Sequence, residues 1–498
     1  MDPGNNRVDI SNPFKRYVGP RGPLRHRCPL CPASGDGSGL LRCTACLAVR
    51  YCSREHAVAH RPQHKSACNK IKKARAKLAD EETLVRQWPL QNAFQTHVGR
   101  FWDFLPTRGY LQARFTLIRD HLLIFGTLDS ITEALEHGRD LLRLSNEDTL
   151  QVRNLMPALM LRLDLDQECY DFVRNWAYYG PRGTQDRPDP RLLLGDLKGA
   201  NVLEEPEFLM DISSNLHFIV AIILLKMKLL VDALSIKATR KVLRNRLPLE
   251  LLDHVETFVL RSPISPKLFL RKSDFDLAKI RFKLIYHIQR LGNNLWEVDD
   301  DFSMHLFYPH EALDTKTHPE FLPESQRALR YSYAAFSETE GVLPLLWDAR
   351  ECLLQCHSNE AIRRRRFLTS QENMPDLNDV WVFLHHAMLN ATYFGPWSER
   401  PSELAIRDGR EDWKPAMEVE AEKEEHKTWP CYGKHDHDHD HDHLDDDEDD
   451  EEDDNDSTLS LEEWRSRINP QDRENNKEFY DFAERLLFAG EGEGQFFY

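Results

Sequence analysis

Residues 28–68 read CPLCPASGDGSGLLRCTACLAVRYCSREHAVAHRPQHKSAC, and this stretch decides how the N-terminal part of the chain folds. Its cysteines and histidines fall into four pairs, Cys28-x2-Cys31, Cys43-x2-Cys46, Cys52-x3-His56 and His64-x3-Cys68. A C-x2-C pair lets one tight turn bring two thiolates to a single ion at about 2.3 Å, and two pairs close a tetrahedral site with no position left for water. Eight such side chains predict two structural zinc ions. Six of the ten cysteines lie in this stretch, and in a reducing compartment such clustering means metal more often than disulfide. Ser53 is placed to cap a helix after Cys52, with His56 in its first turn. His60 stands close enough to rival His56 as a ligand. His64 and Cys68, four apart, share a helical face, and Pro62 is expected to break the region into two short helices. Gly35, Gly37 and Gly39 predict an exposed loop between the first two pairs.

This order of pairs, with Tyr51 directly before Cys52, resembles the MYND-type zinc finger over residues 28–68, less than a tenth of the chain. The resemblance implies an interleaved cross-brace, with Cys28, Cys31, Cys52 and His56 on one ion and Cys43, Cys46, His64 and Cys68 on the other. His56 stands where the family usually has cysteine, and imidazole is an equally good zinc ligand. A protein partner is implied as well. Members that bind proline-rich peptides commonly carry Gln directly after the sixth ligand and Trp four residues later. Ala57 and Arg61 occupy those places here, so a proline-rich peptide would lack the usual groove. Arg50, Arg54 and Arg61 are expected to be exposed beside the metal sites as a recognition surface.

Beyond the finger, helical periodicity from about residue 70 to 395 predicts a mostly α protein. The expected order is a disordered arm (1–24), the finger (25–69), a helical body (70–398), an acidic low-complexity disordered segment (399–458) and a C-terminal helical segment (459–498). Lys70–Lys77 should open the body as a basic helix leading away from the finger. Helices are predicted near 108–125, 129–143, 208–235, 248–260, 274–291, 323–336, 341–356 and 376–391. Gly126 should separate the first two, and Asp129 should cap the second. FGTLDSITEALEHGRDLLRL (125–144) and LRLDLDQECYDFVRNW (161–176) place Ala134 and Cys169 at matching positions 35 residues apart. That spacing loosely resembles tetratricopeptide repeats, which stack into a solenoid with a concave binding surface. Residues 179–206 read as a surface loop, and Trp296, Trp347, Trp381 and Phe383 as core.

The chain has 498 residues and a net charge of −17. Fifteen acids within residues 436–456 hold nearly all of that excess, whereas residues 1–77 carry sixteen Lys and Arg against four Asp and Glu. A basic finger attracts nucleic acid by counterion release, but no aromatic interleaving or groove-reading helix accompanies it, which makes nucleic-acid binding the weaker alternative. His435 to His443 alternate with Asp in a segment too polar to fold alone, able to take up divalent metal weakly or to screen the finger. After it, Phe479, Phe482, Leu486 and Leu487 form one apolar helical face. The longest apolar run, Phe218–Leu225, is interrupted at Lys226 and Lys228, well short of the roughly 20 residues a membrane span needs, so it reads as a buried helix. The N-terminus has no apolar signal stretch, and the expected location is intracellular, nucleus or cytoplasm. Arg363–Arg366 and Lys70–Lys77 are candidate nuclear-import signals.

Phosphate-cradling loops, H-E-x-x-H, G-x-S-x-G and dinucleotide fingerprints are missing in any adequate context. His385 and His386 are read as ordinary helical histidines. The expectation is a non-enzymatic adaptor, with transcriptional regulation or protein turnover suggested only by the resemblance. The enzyme alternative is a lysine methyltransferase of the SET type, in some of which a MYND finger is inserted. It requires β-rich flanks and an asparagine-histidine-cysteine-type motif; neither is visible, and 27 residues precede the finger.

Overall fold

Ser53 accepts a hydrogen bond from the His56 backbone N–H (3.3 Å), opening helix α1, Arg54–Gln87. This computed structural model describes residues 24–31, 33–35, 39–87, 92–179, 198–242, 255, 259–313, 317–364 and 376–390. Most of the N-terminal arm, residues 36–38 of the glycine loop, most of the 179–206 connection and of the 248–260 helix, the acidic segment and the C-terminal helix lie outside them.

α1 runs through Pro62 as one helix rather than two. An interior proline presses on the carbonyl four residues back and removes its partner, at roughly 3 kcal/mol. Here that residue is Val58, exposed like Pro62 itself, so water can satisfy the freed carbonyl. α1 thus carries His56, His64 and Cys68 and continues through Lys70–Lys77 with no linker.

α2, Leu105–Leu117, packs along α1 and passes into a π-helical turn, Ile118–Leu122. Gly126, at φ 68°, ends this run as expected. α3, Leu128–Leu144, is capped by Thr127 and not by Asp129: the Thr127 side chain accepts from the Ser130 N–H (3.3 Å), and Ser130 Oγ accepts from the Thr127 N–H (3.0 Å). Asp129 lies inside the first turn, its carboxylate free for other work. α4, Met156–Arg162, starts with Pro157 in its first turn, where the missing N–H has no helical partner to lose. α5, Asp166–Tyr179, follows, and Ala134 and Cys169 are both fully buried.

α6, Leu216–Val242, is the centre of the body and buries the run Phe218–Leu225. α7 (Asp274–Val298) lies along it. α8 (Phe302–Phe307), α9 (Glu324–Glu338), α10 (Val342–Arg364) and α11 (Val380–Asn390) complete the body. α4, α5, α7, α9 and α10 all touch α6. Hairpins stacked in a row would confine contacts to neighbours; in the described residues the helices surround a centre. Arg162 and Glu338 tie α4 to α9 through a buried bidentate pair at 2.9 and 2.7 Å. Trp381 is buried, whereas Trp296 is 50% exposed and is not core; Trp347 and Phe383 are half-buried. No helix among the described residues is long and apolar enough to cross a membrane.

Candidate metal centre

Two short hairpins precede α1. β1 (His26–Arg27) pairs with β2 (Ser34–Gly35), and β3 (Leu41–Arg42) with β4 (Arg50–Tyr51), both antiparallel. Each C-x2-C pair begins where the first strand ends. The Cys28 N–H donates to the Ala33 carbonyl (2.9 Å) and the Cys43 N–H to that of Val49 (2.8 Å), folding both turns back on their strands. Leu47, at φ 56°, takes the left-handed conformation that tightens the second turn.

The turns and α1 bring together two groups of four donors, Cys28, Cys31, Cys52 and His56, and Cys43, Cys46, His64 and Cys68, with all ligand atoms of a group within 4.8 Å of one another. A tetrahedron with zinc–sulfur bonds near 2.3 Å and zinc–nitrogen bonds near 2.0 Å separates two sulfurs by about 3.8 Å and sulfur from nitrogen by about 3.5 Å. In the first group Cys31 Sγ lies 3.4 Å from Cys52 Sγ, and His56 Nδ1 lies 3.5 Å from Cys28 Sγ and 3.0 Å from Cys52 Sγ. In the second, Cys43 and Cys68 sulfurs are 3.9 Å apart and Cys46 Sγ is 3.5 Å from His64 Nε2. The donor sets suit two structural zinc ions, and the pairs interleave first with third and second with fourth. His60 is not in either group; its Nδ1 is 3.1 Å from the Tyr51 hydroxyl, and its ring stacks on His64.

The thiols need a cation to ionise together. Burial, with Cys43 and Cys68 beside it, pushes Cys46 up to about 12 against the N–H of Ala48. Cys28 moves the other way: despite its burial, N–H groups of Cys52 and Leu30 hold it down to about 6. A divalent ion removes this conflict by stabilising every thiolate of its group, which couples metal binding to folding.

The finger is docked on the body. Arg50 donates to both Asp129 oxygens, at 2.8 and 3.0 Å, while Arg42 and His26 lie 3.5 and 3.4 Å from the same carboxylate. Burial would raise the Asp129 pKa, but these cations lower it below its ordinary value. Thr127 Oγ1 donates to the Ala48 carbonyl, and Phe125 meets the His64 ring edge-on at 5.7 Å. Arg75 of α1 pairs with Glu133 of α3. Arg50 is therefore spent inside the protein, contrary to the expectation that it is exposed; Arg54 and Arg61 are exposed. The sequence carried no signal for this joint, because Asp129 and Arg50 are 79 residues apart and neither belongs to the ligand motif.

No curated protein and no solved structure matches the chain. The family model described as MYND finger matches residues 28–68, the span that holds every one of the clustered donors, and this part of the chain is a MYND finger.

Proposed function

We propose that the chain is a non-enzymatic interaction protein in which Cys28, Cys31, Cys52 and His56 ligate one zinc ion and Cys43, Cys46, His64 and Cys68 a second, presenting a partner-binding finger on a helical body. The observation that carries this reading is the donor count: each group supplies four protein ligands, so neither ion keeps an open position for substrate or water. MYND fingers in general mediate protein–protein contacts.

The free surface of α1 supports a protein partner with an acidic segment. Arg54, Arg61, Lys65 and Lys72 are exposed and, at intervals of seven, four and seven, follow one stripe of the helix. No Asp or Glu occurs between His56 and Ala79. A proline-rich peptide is the less suited partner, since Ala57 and Arg61 stand where its usual contacts would be. Transcriptional regulation or protein turnover, in nucleus or cytoplasm, is the setting this finger type suggests. The test is proximity labelling in the native cell, comparing the natural chain with Cys43→Ser/Cys46→Ser and Arg61→Glu/Lys65→Glu. Partners lost in both variants support the reading; saturable binding of a methyl donor by calorimetry would overturn it in favour of a methyltransferase.

A further inference from the structure

The two groups of donors differ in what surrounds them. In the second, Cys46, His64 and Cys68 are buried and Cys43 half-buried; in the first only Cys28 is buried. The second group takes Cys43 and Cys46 from the β3–β4 hairpin, whose Arg42, Ala48 and Arg50 are the residues that hold Asp129 and Thr127. It takes His64 and Cys68 from α1, whose buried Ile71 and Val85 and whose Arg75 lie on the way into the body. One of its ligands, His64, itself touches Phe125. An ion at this place binds hairpin and helix to each other, and both grip the same short region of the body, Phe125 to Glu133. The first group is the less buried of the two; its hairpin meets the body at His26, 3.4 Å from Asp129, and Phe125 also packs against the small cluster around Cys28.

We propose that the second metal site is a joint whose occupancy locks the finger to the helical body and sets the order of residues 105–144, while the first site stabilises only the less buried part of the finger. The inference rests on the zinc assignment made above. When the second ion leaves, β3–β4 and α1 lose their metal cross-link and keep the short chain through Cys52 and Ser53 and the Tyr51–His60 contact, so the contacts of Arg50, Thr127 and Phe125 hold a looser pair of elements. Local opening follows the loss of such constraints and appears as faster amide exchange.

The test uses the full chain in its natural form and as Cys28→Ser/Cys31→Ser and Cys43→Ser/Cys46→Ser, with zinc counted by native mass spectrometry and amide exchange followed by segment. Two zinc ions are expected in the natural chain and one in each variant. The Cys43→Ser/Cys46→Ser chain should exchange at least tenfold faster over residues 105–144, with residues 274–298 unchanged; the Cys28→Ser/Cys31→Ser chain should stay within twofold of the natural one. Should the second-site variant fail to fold, chelating the single remaining ion of Cys28→Ser/Cys31→Ser empties the same site without further substitution, and the same acceleration is expected. Zinc loss from the second site with no change over 105–144, or equal changes in both variants, overturns the joint and leaves the zinc assignment standing. A natural chain without zinc overturns both.

Discussion

Asp129 receives Arg50, Arg42 and His26 on one carboxylate, and its lowered pKa fixes the sign of its contribution. A depressed folded-state pKa gives stability that is present above the ordinary carboxylate range and lost as pH falls through it. Asp129→Asn is accordingly expected to destabilise the protein by about 1–3 kcal/mol at pH 7 in urea unfolding, with the difference from the natural chain shrinking below about pH 4. Lys226 contributes with the same sign, from a different cause and in a higher pH window. Its Nζ donates to the Val202 carbonyl (3.0 Å) and sits 3.1 Å from His287 Nδ1, and full burial, with Lys283 nearby, lowers it from 10.5 to about 7. Between about 7 and 10.5 the unfolded chain binds the proton that the fold refuses, so this residue makes stability rise with pH across that window. Lys226→Met should flatten the rise, measured as urea midpoints at pH 7, 8.5 and 10. His217, pushed down to about 3 by burial and by Arg327 and Arg153, makes stability fall as pH drops from 6.5 toward 3. None of this was legible in the sequence. Lys226 reads there as an interruption of an apolar run, and only the packing of α7 against α6 shows that it is buried.

Among the helices, the α7–α11 crossing depends on a missing side chain. A Cβ on Gly292 would lie 2.4 Å from Cγ of the buried Trp381, inside any tolerable contact. Gly292→Ala should cost about 1–3 kcal/mol by forcing the indole or the helix aside, visible as a lowered thermal midpoint and as changed tryptophan fluorescence. Helix positions were largely readable from periodicity, and Gly126 marks the end of its segment as a residue that tolerates positive φ. Ends and caps were harder. Asp129 and Thr127 are both ordinary capping types; Thr127 caps α3 through its reciprocal bonds with Ser130, while the finger's arginines take the Asp129 carboxylate. Pro62 reads as a helix break from the sequence, but its penalty depends on whether the freed carbonyl meets water, which spacing alone does not tell.

For the whole molecule, the finger could be read from the sequence because its chemistry is local: four pairs, each within one turn of chain, announce metal before any tertiary contact is known. The surrounded arrangement of the body could not, since it rests on contacts such as Arg162–Glu338, 176 residues apart. Chelation of the full chain should therefore lower its thermal midpoint by several degrees, with residues 105–144 loosening before α7; a midpoint unmoved by complete zinc removal would mean that the finger adds nothing to the body's stability. Helix α1 gives this a consequence for portability. The ligand motif ends at Cys68, yet the helix that carries it goes on to Gln87. Grafting the finger elsewhere as a cassette would snap a rod in its middle and leave behind the half that carries the buried Ile71 and Val85. Evolutionary shuffling of this finger would have to carry its shaft along, or rebuild a socket for it.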